Sequence, residues 1–287
     1  MDSDDKKLSQ LTQTVPISTD IILYTSLPAT APTSKKTLYD NGGWIGGIGT
    51  WSYSSADSPT FVISINADVT GYISIGMRIK LTQITVKYFI VTEVGSYSAG
   101  ATLVTVYGGT DYTLANAAIT TPYYSQTKAP LGFPLSPIKW TVSTITTDSP
   151  AKSSPTNATW YGGGGLTPTG PSINLPIGSW KVSYRVVADY VTNIASVSII
   201  GCRVTLSTAN NSESDAEFTT SISNSLPIST TATQRGVYMA EKNILVASKT
   251  TYYLNIYTGN ATGTSPSLVM NPGGVFKNII KAVCAYL

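Results

Sequence analysis

Histidine is absent from all 287 residues. Its absence removes Ser-His-Asp and Cys-His catalysis, His-ligated zinc and the commonest general base. Cysteine occurs twice, at Cys202 and Cys284. Two thiols make neither a disulfide framework nor a zinc site. Both lie in strand-like apolar runs, so the expected state is two small buried thiols; the sequence leaves a bridge between them open. Charge is sparse: 11% of residues are charged, against roughly 25% in an ordinary globular chain. No apolar run approaches the ~20 residues of a membrane helix, so no membrane insertion is expected. The 18 basic residues give a net charge of only +3 and form no stripe with interleaved aromatics. Nucleic acid is therefore not an expected partner. No GxSxG elbow, Walker loop or dinucleotide fingerprint occurs, and no cofactor is expected.

What is present is Ser, Thr, Gly, Asn and Tyr. That mixture disfavours helices and favours strands and turns. Residues 1–38 read as an extended arm, since "MDSDDKKLSQLTQTVPISTD" has little to bury. "DIILYTSL" is a short strand candidate within it. Residues 39–135 read as a small β module. Gly-rich punctuation surrounds Trp44 and Trp51, and "TFVISI" follows with Phe61, Ile63 and Ile65 on one face. Met77, Ile79 and Leu81 then alternate with Arg78, Lys80 and Thr82. "TVKYFIVTEV" and "ATLVTVYGG" complete a meander of the barrel or sandwich type. "QTKAPLGFPLSP" cannot continue a ladder and reads as the exit linker.

Residues 136–287 read as a larger β-sandwich of the jelly-roll kind. "SWKVSYRVV" places Trp180, Val182, Tyr184 and Val186 on one face. "SVSIIGCRVTLST", "AEFTTSI", "RGVYMAEKNILVA", "TTYYLNIYTG" and "PSLVM" follow at strand-like intervals. The last stretch, "NIIKAVCAYL", is apolar on both alternating faces. One face, Ile280, Ala282, Cys284 and Tyr286, suits the domain core. The other, Val283, Ala285 and Leu287, needs a different cover. A three-fold axis between sister chains supplies one; a loop folded over a central strand supplies another.

Candidate chemistry is thin. "WYGGGGLTPTG" lacks the Lys and helix of a phosphate loop and reads as a flexible surface loop. Glu213, Asp215 and Glu217 form the densest acidic stretch. Their oxygens suit a hard cation, but calcium-loop spacing is missing and a solvated loop is the expectation, with no metal site. The same carboxylates are all the sequence offers for glycoside hydrolysis, which needs a pair about 5 Å apart for the retaining route. Tyrosine is abundant, 18 residues against five Phe. Doublets in "TPYYSQ" and "TTYYLNIYTG" place one ring in the core and one outside, where it can stack on a sugar or pack on a subunit.

Three stretches together resemble phage virion proteins. "KKLSQLTQTVPISTDIILYTSLPATAPTSKKTLYDN" resembles the N-terminal attachment segment of phage fibre-type proteins. Its Lys-x-Ser-x-Leu start, acidic-apolar strand and Lys-Lys-Thr-Leu return carry the likeness. Trp51, Gly76, Lys87, Tyr88, Phe89 and the Pro130-Leu131-Gly132-Phe133-Pro134 exit resemble a β module recurring in phage structural proteins. The "TTYYLNIYTG" strand and the ending "IKAVCAYL" resemble the jelly-roll heads of trimeric phage fibres. The resemblance implies a non-enzymatic, homotrimeric fibre or capsid decoration located in the virion. Attachment to other virion proteins, of the capsid or of the tail and baseplate, would run through Lys6, Lys7, Leu8, Leu11, Ile21, Ile22 and Leu23. The trimer interface would include Val283, Ala285 and Leu287. The alternative is a receptor-binding tail or baseplate tip whose partner is a host-surface glycan. A glycan-degrading tail enzyme is the third reading. "MDSDDKKLSQLTQ" has no apolar h-region, so synthesis in the host cytoplasm without a signal peptide is expected.

Overall fold

The computed structural model describes residues 41–194, 198–226, 229–259 and 264–286. Every regular element among them is a β-strand or a short 3-10 turn. The all-β expectation therefore holds. Of the earlier expectations, those for residues 1–38 and for Leu287 lie outside the described residues.

Strands β1 (Ile45–Gly46), β2 (Trp51–Asp57), β3 (Thr60–Ile65), β4 (Arg78–Gln83), β5 (Thr85–Val94), β6 (Thr102–Tyr107) and β7 (Thr120–Ser125) form one antiparallel sheet. Its order is β1-β7-β4-β5-β6-β3-β2. The meander expected from alternation is its middle, β4-β5-β6. Ile79, Leu81, Phe89, Val91, Val104, Val106, Ile63 and Ile65 fill one side, each at 1% exposure or less. β1 and β2 are opposite edges of this sheet, yet only residues 47–50 separate them. A connection that short spans no more than about 18 Å. The sheet must therefore curl until its edges approach. Gly47 N donates to Pro122 O at 2.8 Å, and Trp51 Nε1 donates to Ile48 O at 2.9 Å, holding the closing segment in place.

The remaining strands are β8 (Thr141–Thr146), β9 (Ala151–Ser153), β10 (Thr159–Tyr161), β11 (Ser172–Leu175), β12 (Gly178–Ile194), β13 (Ser198–Ser207), β14 (Thr219–Leu226), β15 (Ser229–Val246), β16 (Thr250–Thr258), β17 (Thr264–Met270) and β18 (Asn278–Tyr286). One sheet runs β8-β18-β12-β15, with β17 and β9 continuing it beside the second half of β12. The other runs β14-β13-β16, with β11 and β10 flanking successive halves of β16. The chain crosses repeatedly between the two sheets, which is the jelly-roll order. Alternation explains the packing. Trp180, Val182, Tyr184, Val186, Ala188 and Tyr190 face inward from β12, none more than 2% exposed. They meet Cys202, Val204, Leu206, Leu254 and Ile256, all fully buried. Each such aliphatic side chain contributes about 1.5–3 kcal/mol of burial.

The exit segment after β7 contains no strand, as its prolines require, but it is more than a tether. Pro130 and Phe133 are buried. Trp44, Tyr107 and Phe133 from the curled sheet and its exit join Trp140 and Trp180 of the sandwich in one hydrophobic cluster. Tyr107 stands 6.0 Å from the rings of both Trp140 and Trp180. One backbone bond crosses the joint, Thr110 N donating to Lys139 O at 2.8 Å; a second, Cys284 N to Trp140 O at 2.9 Å, fixes Trp140 to the sandwich.

Candidate functional site

The described chain begins at the joint. Gly42 and Gly43 have φ of +60° and +88°, a left-handed pair that lets the chain turn back on Leu131. Leu131 N donates to Gly42 O at 2.9 Å, and Trp44 Nε1 donates to Leu131 O at 2.8 Å. Ser125 Oγ donates to Gly43 O at 2.6 Å. A Cβ on Gly42 would lie 2.6 Å from the Leu131 Cβ, so no other residue fits without movement. Gly42, Gly43 and Trp44 are thus held where the two sheet systems meet. The proposed attachment residues Lys6, Lys7, Leu8, Leu11, Ile21, Ile22 and Leu23 lie outside the described residues.

The terminal run is strand β18, internal to its sheet with β8 on one side and β12 on the other. Ile280, Ala282 and Cys284 are buried in the sandwich, as alternation requires. The opposite face is outward: Val283 is half-buried and Ala285 is exposed. Val283 sits between Thr141 and Lys181, its cross-strand partners. No disulfide joins Cys202 and Cys284, and burial pushes the Cys202 thiol up to about 12.

The acidic stretch already holds a cation of the protein's own. Lys242 Nζ lies 2.6 Å from Asp215 Oδ2 and 2.8 Å from Glu217 Oε2. Glu213 accepts from the Thr219 hydroxyl. The bond from Lys242 holds the Asp215 carboxyl below its ordinary value, and the two carboxylates raise Lys242. An ammonium stands where a metal ion would. Among the described residues no group of three or more His, Cys, Asp or Glu side chains could hold a metal.

The glycine run is packed, contrary to the expectation of a flexible surface loop. Gly162 and Gly163 are buried. Gly162 N donates to Asn211 Oδ1 at 2.6 Å, and a Cβ on Gly162 would fall 1.6 Å from Asn255 Oδ1. The glycines let the loop lie against Asn210, Asn211 and Asn255. Asn255 in turn donates to Ala209 O and Ser212 O at 2.9 and 2.6 Å, pinning the β13–β14 loop over its sheet.

Several aromatic rings engage one another or a cation. Trp160, Tyr257 and Arg203 form one row across β10, β16 and β13. Trp160 lies 4.9 Å from Tyr257, and the Arg203 guanidinium lies 5.2 Å from the same ring. The two neighbours approach Tyr257 from opposite sides because their strands flank β16. Lys80 is similarly set against rings, 4.8 Å from Trp44 and 4.3 Å from Tyr123, and desolvation lowers its pKa.

One feature escaped sequence inspection. On the outward face of the β8-β18-β12-β15 sheet, Ile145, Ile279, Arg185 and Met239 share a cross-strand row. Ile145 and Met239 are exposed. Each residue is unremarkable in its own strand; only the register across four strands brings them together.

No protein-family model matches this chain, and no curated protein sequence matches it. Among solved structures it is similar to infectious bursal disease virus, Gx strain, at 15% identity and a TM-score of 0.23. That likeness covers 83% of this chain and 63% of the other. Infectious bursal virus-derived T=1 particles are similar at 14% identity and a TM-score of 0.24, covering 83% and 61%. The VP2 subviral particle of the same virus gives 13% identity and 0.23, covering 83% and 77%. The chain thus spans about three fifths of the first two structures it matches. Scores this low carry no functional argument.

Proposed function

We propose that this chain is a non-enzymatic structural protein of a phage virion, a homotrimeric fibre or decoration anchored by residues 1–38. In this reading residues 39–135 form a spacer module and residues 136–287 the projecting head. The observation that carries it is the clamp on the arm's root. Leu131 holds Gly42 and Trp44 from both sides, in the segment whose Phe133 packs on Trp140 of the jelly roll. An arm rooted there passes load to both parts of the fold at once, which suits an anchor. The likeness of residues 6–41 to phage attachment segments supports the same assignment. The chemistry agrees: histidine is absent, and the acidic stretch is occupied by Lys242.

Self-association runs through the outward face of β18, with Val283, Ala285 and Leu287 as the proposed contacts. Particles assembled with a chain lacking residues 1–38 test the anchor. The truncated protein should remain a folded β protein by circular dichroism yet be missing from purified particles. Incorporation at the normal level would defeat the anchoring role.

A further inference from the structure

We infer that copies of this chain meet across the whole outward face of the β8-β18-β12-β15 sheet, centred on the Ile145–Ile279–Arg185–Met239 row. The inference rests on the self-association reading above and moves its centre away from the end of β18. Scattered surface apolar residues need no explanation. These are not scattered. Ile145 is 56% exposed and Met239 57%, in one row with Ile279 between Ile145 and Arg185. Val237, 47% exposed, stands two residues along β15 on the same face. Its partner Val187 accepts a bond from Asn271 N at 2.7 Å, at the base of the loop that carries Val275 outward at 77% exposure.

The extent of the face fits a second copy. Its four strands have 6, 9, 17 and 18 residues. At ~3.3 Å per residue and ~4.8 Å between strands they present roughly 800 Å². One partner of a standard stable interface contributes about that much. A small ligand or a single peptide strand would cover only a strip of so broad a surface.

Charge sets a condition on how the second copy sits. Arg185 and Lys281 lie on this face with no ion pair among the described residues. Glu241 is there too, bound to Lys181 at 2.8 Å with both side chains 55% exposed. Three cations face one acid, so a like copy must bring Arg185 to the partner's exposed Glu241 and leave Lys281 at the solvated rim; a purely apolar partner would leave Arg185 buried without an acid, which is costly.

The full-length protein in solution tests this. Light scattering should give a multiple of 30.3 kDa. Met239→Asp and Ile145→Asp should each shift it toward the monomer, with the circular dichroism spectrum unchanged because both sites are exposed. Both native thiols are buried, so Met239→Cys treated with a short bis-maleimide should give covalent dimers. A monomeric wild type overturns both this inference and the self-association reading. An oligomer that survives both Asp variants, with no cross-linking at 239, overturns this inference alone. In that case loss of the oligomer in Val283→Asp would leave the strand-end interface standing.

Discussion

Phe133 and Trp140 lie parallel, their ring centroids 5.1 Å apart and their planes 7° from coplanar. Trp140 Nε1 also donates to Pro134 O at 3.0 Å, and the Arg78 guanidinium sits 5.0 Å from the Phe133 ring. This stack fastens the curled sheet to the jelly roll. Phe133→Ala should cost about 3 kcal/mol or more, as for other buried aromatics. Because the loss falls at the joint, calorimetry should show the single unfolding transition separating into two. One transition at an unchanged temperature would show that the stack does not couple the two parts.

Lys249 reaches across the same junction. Its Nζ donates to Asp57 Oδ1 at 2.5 Å and to Asp57 O at 2.9 Å. Burial pushes the Asp57 carboxyl up, but Lys249 and Thr60 outweigh it and hold it below the ordinary 3.8. A carboxyl depressed in the folded state stabilises above its unfolded pKa and loses that contribution as pH falls through the folded one. The tie is therefore intact at neutral pH; its contribution begins to fall below the ordinary 3.8 and is gone once pH passes the depressed folded value. With side chains 35% and 44% exposed it is worth under about 1 kcal/mol. Between about pH 5 and pH 3, the wild type should lose more thermal stability than Asp57→Asn. Equal losses would mean that the pair contributes nothing.

Gly109 has φ of +65°, and a Cβ there would lie 2.0 Å from Lys139 O. Gly109→Ala incurs about 1–2 kcal/mol from the left-handed backbone alone. It must also displace the carbonyl that receives Thr110 N. The expected outcome is a clear fall in the urea midpoint. A variant as stable as the wild type would show that this approach is not tight.

Val283→Asp places a carboxylate beside Lys181 and Thr141 on the outward face of β18. In an interface it would carry a penalty on the order of 3 kcal/mol. Light scattering should then report the 30.3 kDa monomer. A surviving oligomer would remove Val283 from the interface.

Calcium should not stabilise this protein. Lys242 already bridges Asp215 and Glu217. Adding calcium, or chelating with EDTA, should leave the melting temperature where it was. A calcium-dependent rise would require Lys242 to yield its place.

Alternation made most of the fold legible. The inward sets of β3, β4, β12 and β18 can be read residue by residue, because one face of each strand is apolar. Residues 141–175 were opaque for the opposite reason. β8 is "TVSTIT", and β9 and β10 have three residues each, too short and polar for a period to show. β12 also extends beyond "SWKVSYRVV" to Ile194. Its continuation includes Asp189, 4% exposed, whose burial depends on Arg235 from β15 at 2.7 Å, a partner 46 residues away. Arg78, expected on a wet face, is 7% exposed because its Nε reaches Lys128 O in the exit segment. The outward apolar row was hidden by the same rule: it exists only across strands, and no single strand displays it.

The clamp on the chain's entry has a mechanical meaning. β1 contributes just two residues, paired to β7 as Ile45↔Tyr124 and Gly46↔Tyr123. Tension applied through the preceding chain would peel so short a strand open one bond at a time, the weakest way to load a sheet. It reaches the bonds at Gly42 and Gly43 and then Trp44 before β1. With its indole buried and bonded to Leu131, Trp44 acts as a toggle behind a wall, and the pull is spread into the aromatic joint before β1 feels it. The rupture force of this protein, pulled from its N-terminal side, would thus be set by one tryptophan rather than by its sheets.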